Sequence, residues 1–135
     1  MGFEPVVIES IVEEGTDNQN VGQVAKPDGT FILEADVPAG WALDVYEKAN
    51  SVPIYSLAGQ STSGVIFDTP QLDGFWGIDD IGYNFRHPVT QVALATQSAS
   101  LEGGRRYLFL YQFPTMTEGI LVSRFIWRIR GGPRF

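Results

Sequence analysis

The residues best equipped for chemistry lie together in "LDGFWGIDDIGYNFRHPV", positions 72–89. This stretch holds the adjacent acids Asp79 and Asp80, four aromatic rings, Arg86 and the only histidine of the chain, His87. A hydroxyl nucleophile activated by histidine would have to use His87. Pro88 follows it directly and restricts it to extended backbone, and no G-x-S-x-G elbow exists to present a serine. Two carboxylates that cleave a glycosidic bond must face each other across a cleft. Asp79 and Asp80 are sequence neighbours, so on a strand they point to opposite faces and converge only in a turn. A third chemistry is an oxygen-rich calcium loop from Asp68, Asp73, Asp79 and Asp80, though their spacing matches no EF-hand. P-loop and dinucleotide fingerprints are absent. With no cysteine, the chain has no thiol nucleophile, disulfide or cysteine zinc site. The expectation is no enzyme, no cofactor and no metal; an enzyme built on His87 and the Asp79–Asp80 pair is the weakest reading.

Contact with a partner suits these residues better than catalysis. Trp41, Trp76 and Tyr83 stand near glycines, as a sugar-stacking platform would require, whereas Phe75, Trp76 and Phe85 could equally plug the end of a core. Exposed, such rings mark a binding patch. The second candidate is the C-terminal "RFIWRIRGGPRF", in which Arg124, Arg128 and Arg130 fall on one face of a strand and "GGPRF" reads as an extended tail. Such an arginine row protects an edge strand from aggregation or forms the charged half of a subunit contact. The candidate interface is therefore Trp76, Tyr83, Phe85, Arg86, His87, Arg124, Arg128, Arg130 and Arg134.

The elements that must position these side chains read as strands. "VVIESIV" (6–12) is a β-rich run, "EEGTDNQNVGQ" (13–23) a polar loop, and "KPDGT" (26–30) a turn with Pro27 and Gly29 in turn-specific places. "FILEADV" (31–37), "WALDVYE" (41–47), "VPIYSLAG" (52–59) and "GVIFD" (64–68) read as further strands. "TQVALATQS" (90–98) alternates, "EGG" (102–104) turns, and "RRYLFLYQF" and "ILVSRFIWRIR" complete a three-strand antiparallel meander. In the last strand Leu121, Ser123, Phe125, Trp127 and Ile129 share one face, opposite the arginines. Residues 1–135 form one all-β domain: an antiparallel sandwich, Ig-like or jelly-roll, with a small barrel as the alternative. The closing pattern, a strand entered through "GGRRY", a short turn and a final F-x-W-x-I strand, resembles the end of Ig-like sandwiches.

Charge divides the chain. Residues 1–85 hold fourteen acids against Lys26 and Lys48, a balance of −12, while residues 86–135 hold seven arginines against Glu102 and Glu118, a balance of +5. Either neighbouring strands neutralise one another, or a basic edge meets an acidic surface of another copy or partner. Overall acidity argues against nucleic acid. No apolar run reaches the roughly 20 residues of a membrane span. The start lacks both a signal-peptide pattern and the serine or threonine of a myristoylation site. The leading expectation is a soluble, non-enzymatic structural protein made in a host cytoplasm: a tailed-bacteriophage virion component, as a capsid decoration, neck or tail-fibre domain. It would bind copies of itself or a capsid or tail protein. A carbohydrate-binding module using Trp41, Trp76 and Tyr83 on a glycan is the alternative.

Overall fold

A computed structural model describes residues 7–48 and 50–131. The chain forms eight strands and one short helix: β1 (Val7–Glu13), β2 (Asn18–Gly22), β3 (Trp41–Glu47), β4 (Tyr55–Gln60), β5 (Ile66–Gln71), β6 (Tyr83–Val89), α1 (Gln91–Ala95), β7 (Arg106–Pro114) and β8 (Ile120–Arg130). A five-stranded sheet runs β1-β8-β7-β3-β4, and a three-stranded sheet runs β2-β6-β5. The protein is mostly β, in two sheets rather than a closed barrel, which removes the barrel alternative. The large sheet is mixed, because β1 pairs with β8 in parallel from Val7 beside Arg124 to Glu13 beside Arg130. The expectation of a wholly antiparallel arrangement is corrected on this point.

Alternation makes the large sheet. In β7 the residues Tyr107, Phe109, Tyr111 and Phe113 are buried while their neighbours are half-buried. In β8 the residues Ser123, Phe125, Trp127 and Ile129 are buried, with Arg128 and Arg130 on the opposite, exposed face. The core lies between the sheets, since Phe85 of β6 meets Phe113 at 5.5 Å and Phe125 at 6.0 Å between ring centroids. Trp127 stacks against Phe109 at 4.3 Å. Burial of each such ring contributes about 2–3 kcal/mol, and edge-to-face or offset geometry adds somewhat more.

Four segments depart from their sequence reading. Residues 90–98 form α1 rather than a strand, so the C-terminal meander reduces to the β7–β8 hairpin. Thr90 caps the helix by accepting a hydrogen bond from the Ala93 backbone at 3.1 Å, and Gln, Ala and Leu favour helix locally. The apparent alternation misleads because Leu94 is buried and Val92 is 80% exposed. Residues 34–36 of the expected 31–37 strand form a 3-10 turn. There Asp36 accepts from the Leu33 N–H at 2.8 Å and Asp68 accepts from the Glu34 N–H at 2.8 Å, which diverts the backbone from a ladder. The polar loop at 13–23 contains β2, and the connection at 72–89 contains β6, the centre of the small sheet. Of the expected tail at 131–135, residues 132–135, with Arg134, lie outside the described residues, as does Val6 of the first expected strand.

Strand pairing gives the molecule two ends. The β2–β3 connection, the β5–β6 loop and the β7–β8 turn gather at one; the β1–β2 turn, the β3–β4 connection and α1 gather at the other. At the first end the connections are fastened together, with Gln23 donating to the Gly82 carbonyl at 2.8 Å and the Met116 N–H to the Asp36 carbonyl at 3.3 Å.

Candidate functional site

His87 sits in the wall of the core, not at a catalytic surface. Its Nδ1 lies 2.8 Å from the Tyr111 hydroxyl, and its ring packs edge-on against Trp41 at 4.7 Å. The proton positions follow from donor chemistry. The Trp127 indole can only donate, and it reaches the Asn20 Oδ1 at 2.7 Å. Asn20 therefore turns its amide nitrogen to the Tyr111 hydroxyl, at 2.9 Å. That oxygen accepts from Asn20, and the buried Tyr111 O–H has no acceptor among the described residues other than His87 Nδ1, which assigns the O–H to Nδ1 and the imidazole hydrogen to Nε2. Burial pushes the His87 pKa down to about 4 and raises that of Tyr111. The four residues make a buried polar tie between the two sheets, with each link satisfied.

The β5–β6 loop is a different kind of structure. Asp79 organises it: Oδ1 accepts from the Trp76 indole at 2.7 Å and from the backbone of Ile81 and Gly82, while Oδ2 accepts from Gln23 at 3.0 Å. The Trp76 hydrogen bond is the main reason the Asp79 carboxyl is more acidic than usual. Asp73 accepts from the Phe75 N–H at 3.0 Å and from the Tyr83 hydroxyl at 2.8 Å. Gly82 closes the loop at φ +102°, where an added Cβ would stand 2.5 Å from the Gln71 carbonyl oxygen. Arg86 lies 4.7 Å from the centre of the Phe75 ring and donates to the Tyr83 hydroxyl at 3.1 Å. From this braced frame Leu72, Phe75, Ile78 and Ile81 project into solvent, each more than half exposed.

These placements divide the sequence candidates. Trp76 and Arg86 are part of the loop frame and half-buried. Tyr83 and Phe85 are 1% and 0% exposed, which removes them from any surface and corrects their assignment as partner-facing. Trp41 is 3% exposed, so the proposed sugar platform keeps only Trp76. Asp79 and Asp80 do not converge on a shared centre: Asp79 is occupied by the loop and Asp80 is exposed. Asp68, Asp73 and Asp79 serve separate hydrogen bonds, and no metal-binding cluster of acids occurs among the described residues.

The arginine row is largely answered from within the chain. Glu9 of β1 takes Arg106 at 2.9 Å and lies 3.7 Å from Arg128; its carboxyl is more acidic than usual, chiefly through the Arg106 hydrogen bond. Glu13 takes Arg130 with Nε at 2.8 Å, and Arg105 pairs with Glu47 and Glu102. Arg124 has no ion pair among the described residues. Parallel pairing of β1 with β8 brings the acidic first half against the basic second half, as the neutralising-neighbour reading expects.

Sequence reasoning missed Leu72, Ile78 and Ile81 as a group. Their signal was present in four large apolar residues spaced among glycines and acids, without strand alternation. Asn20 was also missed, because nothing local distinguishes a buried asparagine from a loop one. The chain has no significant match to a family model, a curated protein or a solved structure. Among the described residues no helix is long and apolar enough to cross a membrane.

Proposed function

We propose that the chain is a non-enzymatic assembly protein that binds another protein through its β5–β6 loop. The observation that carries this is the exposure of Leu72, Phe75, Ile78 and Ile81 on a loop braced by Asp73, Asp79 and Gly82. Apolar side chains held rigidly outward lose little entropy on docking, which is how small patches acquire affinity. Catalysis finds no support in His87, whose Nδ1 faces Tyr111 and whose low pKa comes with burial.

The finer fold reading is an Ig-like sandwich of variable-type order. In its support, Trp41 lies buried on β3, at the place of that fold's core tryptophan. The Tyr107 hydroxyl, at the start of β7, accepts from the Glu102 N–H at 2.9 Å, as a tyrosine corner does. The Asn20–Tyr111 hydrogen bond joins β2 to β7, the pair of strands that an inter-sheet disulfide joins in Ig domains, two residues beyond the place of the second cysteine. A small cysteine-free module of this form suits the shell or tail of a bacteriophage virion, as a decoration, neck or tail-fibre domain. Mass spectrometry of particles from the source tests this reading, with the chain expected at a fixed ratio to the major shell or tail protein. Its absence from particles, with the coding sequence remote from capsid and tail genes, would refute the virion assignment.

A further inference from the structure

We infer that the end of the molecule bearing the β5–β6 loop docks a protein partner that presents apolar side chains within a rim of Lys and Arg. This rests on the assembly reading above and names the chemistry of the partner. Beyond the four apolar residues of the loop, Leu33 and Met116 are exposed on the neighbouring connections and Ile120 at the start of β8. Seven of the eleven exposed large apolar residues thus lie on elements that meet at this end, a concentration that marks it for contact.

Sign selects the occupant. Asp28, Glu34, Asp36, Asp68, Asp80 and Glu118 lie on the same connections as the patch or on adjoining β5, together with the loop acids Asp73 and Asp79. The nearby bases are Lys26, already 3.3 Å from Asp36, and Arg86. A second copy presenting the same end would meet like charge, as would nucleic-acid phosphates or an anionic bilayer. In a second copy the arginines at the opposite end are engaged by Glu9, Glu13, Glu47 and Glu102, and Arg124, without an ion pair among the described residues, offers a single charge rather than a rim. A cationic-rimmed protein surface remains.

The patch continues through Phe75 into a groove of about 480 Å³ on the outer face of the small sheet. Val21 and Pro88 line it with apolar surface, and Asp17 and Gln19 with acceptors. The Gln19 Oε1 is buried without a hydrogen-bond donor among the described residues, and Gln19 lines the groove. A Lys or Arg side chain fits this combination, with its stem along Phe75 and Pro88 and its N–H groups toward Gln19 and Asp17.

The test uses two labelled amphipathic peptides, one of Leu and Lys and its counterpart of Leu and Glu. Binding is read by anisotropy and mapped by amide chemical shifts on the full chain. The Leu/Lys peptide is expected to bind, with shifts concentrated at 72–82, 116–120 and Gln19, and the Leu/Glu peptide is expected not to. Ile78→Ser should weaken binding about tenfold or more. Asp80→Lys combined with Glu118→Lys should weaken it similarly and flatten its salt dependence. Shifts away from the loop identify each variant as folded. Equal binding of both peptides, shifts centred elsewhere, or indifference to the charge reversals would overturn the inference. So would preferential binding of phosphatidylglycerol vesicles, or self-association that Ile78→Ser abolishes. Those results leave the virion reading standing, whereas absence from particles removes the virion reading without bearing on the sign of the partner.

Discussion

Acid should unfold this protein through His87 before its carboxylates matter. In the folded chain burial pushes the His87 pKa down to about 4, against 6.5 for the free side chain, because the charged ring would be desolvated. Between those values the unfolded chain binds the proton that the folded chain refuses. Stability is therefore fully present above pH 6.5 and falls as the pH drops toward 4. Integrating the linkage gives a loss of about 2 kcal/mol by pH 5 and about 3 kcal/mol by pH 4. Exposed carboxylates with lowered pKa, such as Glu9 and Asp79, contribute only at still lower pH, so the interval from 6.5 to 5 isolates the histidine. His87→Gln keeps an acceptor for Tyr111 and cannot charge. Urea unfolding at pH 7 and pH 5, followed by tryptophan emission, should show wild type losing about 2 kcal/mol between them and the variant losing a small fraction of that. Equal losses in the two proteins, or a wild type indifferent to pH in this interval, would refute the assignment of a buried neutral imidazole.

Two further variants probe the frame. Asn20→Leu strips the partners from both the Tyr111 hydroxyl and the Trp127 indole, and should cost about 2–4 kcal/mol in denaturant unfolding with a shifted tryptophan emission. Gly82→Ala places a Cβ against the Gln71 carbonyl at a positive φ; it should cost about 1–3 kcal/mol and lower Tm, and a neutral result would mean that the loop closes differently.

Much of the large sheet was legible because its strands obey a simple period. Residues 41–47 and 120–130 alternate, and each became a strand with its more apolar face inward, while "RRYLFLYQF", read simply as a strand, forms most of β7. The small sheet was less legible, since β2 is "NQNVG" and its one buried side chain is polar, held there by Trp127 and Tyr111, more than ninety positions away. A local pattern carries no record of such partners. α1 shows the reverse failure, because two apolar residues at even spacing looked like one strand face until the Thr90 cap decided the matter. The 72–89 stretch was rightly singled out, yet its aromatic rings divide between core and surface in a way composition does not reveal. Phe85 turns into the core between the sheets, Tyr83 is buried beneath the β5–β6 loop against Phe67, Trp76 and Asp73, and Phe75 stays outside on the loop.

The parallel pairing of β1 with β8 also fixes how the molecule bears force. The chain enters β1 and leaves β8 at opposite ends of the same pair of strands. A pull between those two points slides one strand along the other, so the hydrogen bonds from Val7 to Glu13 share the tension at once instead of opening one after another. The Glu9 and Glu13 ion pairs with arginines of the neighbouring strands lie across the same seam. A module wired this way resists being drawn out by its ends, while a pull directed across β4, at the far edge of the sheet, meets its pairings in succession.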